Sequence, residues 1–236
     1  MHDFLFTYYS HRPAQLMQWH PGFGVACADG PGPVDTDVLA RRLPLVRQLH
    51  TLLTATASRP PMLGCLGLHE WAMVYEAQEN RHPWPLRLGG DATDEVVRTH
   101  RIACSHFDAF RFFTPSARPL NTLQPGRTDR PAFEQPGCLH ASMDLYKSAF
   151  RLSPLICSEL VADCFALAWD IRILDMRAAP YDLSGLLLDP NGEEWSPVRI
   201  ETPEGKAEYV AAQRAFAERG APLRQRLIDE CERLLA

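Results

Sequence analysis

"DTDVLARRLPLVRQLHTLLTAT", Asp35 to Thr56, decides the fold. Its apolar residues Leu39, Leu43, Val46, Leu49, Leu52 and Leu53 recur at steps of three and four. That is the period of a helix burying one face. "SRPP" at 58–61 stops it. Downstream, 62–77 is apolar nearly all round and reads as a buried helix. A further helix is expected over 138–151. Another starts at Ser153 as N-cap with Pro154 at the first helical position and runs to about Ala178. Residues 206–235 read as a charged, Ala/Leu-rich C-terminal helix. Upstream, 3–19 opens with an aromatic-rich turn or helix, and Phe23 to Ala28 reads as a short strand.

The segment from Asn80 to Pro136 differs. It is proline-rich, with "RHPWP", "TPSARP" and "GRTDRP". One strand, Glu95 to Cys104, can be placed in it, and the rest reads as ordered loop and short helix. Long loops in a compact domain usually carry function. A turn-rich stretch follows at 180–205. The expected fold is mainly α: a single helical domain, 1–236, with a small β element and an irregular region at 80–136.

The chain has 236 residues, 46 % hydrophobic and 22 % charged, with a net charge of −5. A core of ordinary size follows, and the charge argues against a general nucleic-acid coat. The seven cysteines are widely spaced, and no CxxC occurs. Zinc knuckles and thioredoxin-type redox sites are thereby unsupported, and free thiols in a reducing cytoplasm are expected. No apolar run approaches a membrane span.

Four clusters could carry chemistry. "GLHEWAMVY" holds His69 and Glu70, but the HExxH zinc signature fails because Met73 stands where the second His belongs. Glu70 could act as a base or as one metal ligand, and Trp71 and Tyr75 share a helical face. "SHFDAFRFF" sets His106 and Asp108 two apart, with Arg111 placed for a phosphate or carboxylate. The competing reading is an Asp108–Arg111 ion pair. "CLHASMDLYK" puts His140 and Asp144 four apart on one face, with Lys147 nearby. On the helix that follows, Glu159, Asp163 and Asp170 form an acidic column ending at Arg177, beside Asp175 and Arg172. The two arginines are the expected partners, because isolated buried charge is too costly.

Three separate runs thus supply a His with a nearby carboxylate. If they converge, His69, Glu70, His106, Asp108, His140 and Asp144 are candidate ligands for iron, manganese or zinc, and His106 should face His140 and Glu70. Between Arg98 and Arg130 six arginines meet two acids, Asp108 and Asp129, with phenylalanines interleaved. That is a plausible surface for DNA or a nucleotide-like ligand, and equally a charge-compensated loop.

The runs "GLHEWAMVY", "HFDAFRFFTPSARPLN", "QPGCLHASMDLYKSAFRLSPL" and "DIRILDMRAAPYDL" resemble a bacterial, chiefly actinobacterial, family labelled 3-methyladenine DNA glycosylase. The resemblance covers most of the chain. It implies hydrolysis of the N-glycosidic bond of alkylated purines flipped out of DNA, with no cofactor. Trp71, Tyr75, Phe112 and Phe113 would then stack on the base. Glu70, Asp108 or Asp144 would be the carboxylate, and Arg111, Arg118 and Arg127 would hold phosphates. The chain lacks the glycine-rich helix-hairpin-helix clamp of well-understood glycosylases. The rival expectation is a metal-dependent hydrolase or oxygenase acting on a small molecule or nucleotide. A third is a binding module using the arginine- and aromatic-rich face.

Overall fold

The computed structural model describes residues 3–26, 30–80, 82–186 and 195–236. The architecture is mainly helical, and among the described residues β structure amounts to two isolated bridges, Leu86 with Tyr181 and Ile102 with Asn121. Contacts divide the chain into two compact units. Unit 1 comprises 1–61, 134–172 and 216–236; unit 2 comprises 62–133 and 173–215.

Unit 1 holds α1 (Asp3–Thr7), α2 (Pro13–Leu16), α3 (Thr36–Ala57) and α8 (Leu139–Leu152), with most of α9 (Ser158–Arg177) and the end of α10 (Pro203–Leu235). The carboxylate of Asp35 accepts the Asp37 amide at 2.7 Å and caps α3. Val46, Leu49 and Leu53 are buried along that helix, and α3 packs on α8. Tyr9, Tyr146, Phe150 and Phe165 build an edge-to-face aromatic core around α8. At Gly220 an added Cβ would sit 3.2 Å from Ser142 Oγ, so α10 and α8 approach closely there.

Unit 2 holds α4 (Leu68–Ala72), α5 (Gly90–Thr99), α6 (Phe107–Phe110) and α7 (Arg130–Phe133), with a 3-10 turn at Arg118–Leu120. Helix α4 packs on α5 and α6. Its Trp71 is fully buried and donates its indole N–H to the Ala178 carbonyl at 2.9 Å. The side chain of Asn121 takes the place of a strand partner. It accepts from the Cys104 amide at 2.7 Å and donates to the carbonyls of Cys104 and Leu123.

Five expectations need correction. Residues 95–104 are not a strand: 90–99 form α5, which buries Thr93, Val96 and Val97 at helical spacing. The helix expected over 62–77 shrinks to Leu68–Ala72, because Leu66 (φ 52°) and Gly67 (φ 71°) are left-handed and Glu76 (φ 49°) turns the chain afterwards. Ser153 and Pro154 lie in a turn joined by a cis peptide, and the next helix starts at Ser158. Asp163 and Asp170 of α9 pair elsewhere than expected. Asp163 binds Arg226 and Asp170 binds Arg219, each at 2.7 Å; Arg177 binds Glu208. Of the strand expected at 23–28, residues 23–26 carry no strand and 27–28 lie outside the described residues. In the turn-rich stretch 180–205, residues 187–194 likewise lie outside them.

Candidate active site around Cys65 and His69

The sequence "GCLGLHE", 64–70, builds the centre of this site. Cys65 and His69 stand at i and i+4, the spacing that makes side chains neighbours along a helix. Here the left-handed pair Leu66 and Gly67 precedes α4, and the Leu68 amide returns to the Cys65 carbonyl at 3.0 Å. Gly67 is needed twice over. Its φ is left-handed, and a Cβ there would sit 3.2 Å from Ala178 Cβ and 3.3 Å from Tyr209 Cε2. This turn sets the Cys65 thiol 3.8 Å from His69 Nδ1.

The other ring nitrogen, His69 Nε2, lies 3.0 Å from Asp175 Oδ1 on α9. The two side chains are 2 % and 0 % exposed, while Cys65 is partly exposed. A thiol, an imidazole and a carboxylate thus stand in line. A second thiol, the buried Cys104, acts on Cys65 from the same unit.

The electrostatics follow from the geometry. Cys104 is the largest influence on Cys65; burial opposes it, and the His69 ring reinforces it. The thiol is held well below its ordinary range. Burial alone would depress the His69 imidazolium. The hydrogen bonds to Asp175 and Cys65 and the charges of both outweigh burial, so it titrates well above the usual range. Both shifts favour a thiolate beside an imidazolium. Three other thiols differ: burial pushes Cys164 and Cys231 up to about 12, and raises Cys157.

The remaining candidates are distributed as follows. Glu70 is buried on α4, next in sequence to His69. His106 is buried at the start of α6 in the same unit, and its carbonyl accepts from the Cys104 thiol at 3.6 Å. Asp108 pairs with Arg111 at 3.5 Å, as the competing reading had it, and Arg111 also covers the Phe112 ring at 4.4 Å. His140 and Asp144 stand on α8 in unit 1. There Asp144 pairs with Lys147 at 3.6 Å and hydrogen-bonds Tyr9.

Of the four rings expected to stack on a base, Trp71, Tyr75 and Phe113 are buried in the core, and Phe112 is partly exposed. Arg118 donates to the Arg111 carbonyl at 3.2 Å, and Arg127 is exposed.

Sequence reasoning missed Cys65 and the role of Asp175. The HExxH pattern points four residues ahead of His69, to Met73; the thiol partner stands four residues behind it. Comparison of the chain with known protein families, with curated proteins and with solved structures found no match. Among the described residues no helix is long and apolar enough to cross a membrane.

Proposed function

We propose that the protein is a thiol-dependent acyl-transfer enzyme, with Cys65 as nucleophile, His69 as its acid–base partner and Asp175 as the group that orients the imidazole. The observation that carries this reading is the line from Sγ through Nδ1 and Nε2 to Oδ1, at 3.8 and 3.0 Å. A reducing cytoplasm is the setting that keeps Cys65 and Cys104 as thiols.

The Cys65 thiolate attacks a carbonyl carbon and forms a C–S bond. The bond to the leaving group breaks, and the His69 imidazolium gives that group its proton. Water then attacks the thioester, His69 takes a proton from it, and the C–S bond breaks to restore the thiolate. Asp175 keeps Nε2 occupied, so that Nδ1 faces the sulfur throughout.

The test is incubation with p-nitrophenyl acetate, followed by intact-mass and peptide analysis. An acetyl group on Cys65, lost in Cys65→Ala and slowed in His69→Gln, is the expected result. Acetylation that persists unchanged in Cys65→Ala overturns the reading. Stoichiometric iron, manganese or zinc in the purified protein, lost in His69→Ala, overturns it in favour of a metal-dependent enzyme.

A second reading is DNA glycosylase activity on alkylated purines, as the resemblance implies. It is favoured by one observation: His69 and Asp175, paired at 3.0 Å, belong to two of the runs that carry the resemblance. Release of 3-methyladenine from alkylated duplex DNA, abolished by Glu70→Gln, supports it. No release at low salt rules it out.

A further inference from the structure

Unit 1 contains a cavity of about 800 Å³ with no part in the chemistry above. That is the size range of pockets for small organic ligands. Its charged residues are all basic: Arg42 from α3 and Arg151 from α8 line it, and no described Asp or Glu does. Arg42 donates to the Arg151 backbone carbonyl, which fixes its guanidinium against the end of α8. The chain as a whole is net negative, so a cavity with this lining is a local reversal of sign.

The same cavity has aromatic walls. His11 stacks on Phe150, with centroids 4.7 Å apart and planes within 5°. His11 Nδ1 is tied to the Tyr146 hydroxyl at 2.8 Å, so this wall is fixed in place. Trp19 is 47 % exposed, and its indole N–H donates to Glu159 at 2.7 Å. It offers an open aromatic surface whose orientation is already set. Gln15, Gln18, Ser10 and Ser153 add neutral hydrogen-bonding groups.

We propose that this cavity binds a small organic anion carrying a flat ring, with Arg42 engaging its phosphate or carboxylate and Trp19 its ring. A planar guanidinium suits either anion with a two-pronged contact. Aromatic surface supplies the remaining affinity through ring packing. Mononucleotides and aromatic carboxylates share this chemistry and fit the volume.

Isothermal titration calorimetry on the full chain tests the proposal with four probes: adenosine 5′-monophosphate, indole-3-acetate, adenosine and inorganic phosphate. One of the first two should bind with a Kd below about 1 mM, and whichever does names the anion class. Adenosine and phosphate, each lacking half of the recognised chemistry, should bind at least about tenfold more weakly.

Arg42→Gln and Trp19→Ala should each weaken binding by about tenfold or more. Arg42 also touches the backbone, so Gln15→Glu is the companion variant. It keeps the acceptor for the Arg12 amide, 2.9 Å away, while placing a carboxylate on the cavity wall. It too should weaken binding tenfold or more. Failure of both ring-bearing anions to bind overturns the proposal. So does binding that is indifferent to Gln15→Glu, or adenosine binding as tightly as its monophosphate.

Discussion

His69 Nε2 lies 3.0 Å from Asp175 Oδ1, in a place where neither side chain meets water. A buried pair of this kind is fragile toward loss of one member, because the other is left without its partner. Asp175→Ala should lower folding stability by about 3–5 kcal/mol in urea titrations. Asp175→Asn keeps the shape and an acceptor but removes the charge. It should cost less, and should slow alkylation of Cys65 by iodoacetamide at neutral pH by about tenfold or more.

Reactivity at Cys65 should extend to lower pH than at an ordinary thiol. Its thiol is held well below the ordinary range by Cys104 and His69, so the thiolate persists further toward acid. Alkylation, mapped by peptide mass spectrometry, should be faster at Cys65 than at Cys157, Cys164 or Cys231. It should decline only as pH falls through the depressed pKa. His69→Gln should move the profile back toward that of an ordinary thiol.

His69 also links stability to pH. Its folded pKa is raised above the unfolded value of about 6.5. The stabilisation is therefore complete below about pH 6.5 and is lost as pH rises through the raised folded value. The difference in urea midpoint between the native chain and His69→Gln should be largest on the acid side and should shrink with rising pH. A constant difference would show that the ring contributes by packing alone.

Gly67→Ala should destabilise the chain by about 1–3 kcal/mol, through the left-handed φ and the close approach of Ala178 and Tyr209. Thermal melts measure this. Because the same turn sets Cys65 against His69, the variant should also slow Cys65 alkylation at temperatures where it is folded.

The exposed pairs Asp163–Arg226 and Asp170–Arg219 provide a contrast. Each is about half exposed on both sides. Arg226→Ala and Arg219→Ala should each change stability by no more than about 1 kcal/mol, with the effect fading in high salt.

The long helices were legible because their evidence is local. Asp35, the spacing from Leu39 to Leu53 and the stop at "SRPP" lie within one window, and α3 forms as they dictate. The same period was present in Thr93, Val96 and Val97, but the adjacent β-branched residues read as a strand. The Asp108–Arg111 and Asp144–Lys147 pairs were also within reach of local reasoning, at i and i+3.

The centre of the candidate site was not. Cys65 meets His69 across a turn that holds two left-handed residues, and one of them is a leucine, which gives no signal for that conformation. Asp175 comes from 106 residues away, on a helix whose acids all looked alike. Nothing in their spacing tells that Asp163 and Asp170 face solvent and arginines of α10, while Asp175 points to a buried imidazole.

The composition of unit 1 has a consequence for how the chain emerges from the ribosome. Its three stretches, 1–61, 134–172 and 216–236, are far apart in sequence. Arg233 joins the extremes, donating to the carbonyls of Phe23 and Leu155. Vectorial synthesis therefore delivers the parts of this unit first, midway and late. The helices of 1–61 must wait for 134–172, which brings α8 to α3, and then for 216–236 before the unit is complete. Unit 2 needs nothing beyond residue 215 and can close first. The nascent protein is thus most exposed to holdase chaperones, and to aggregation, at its N-terminal helices.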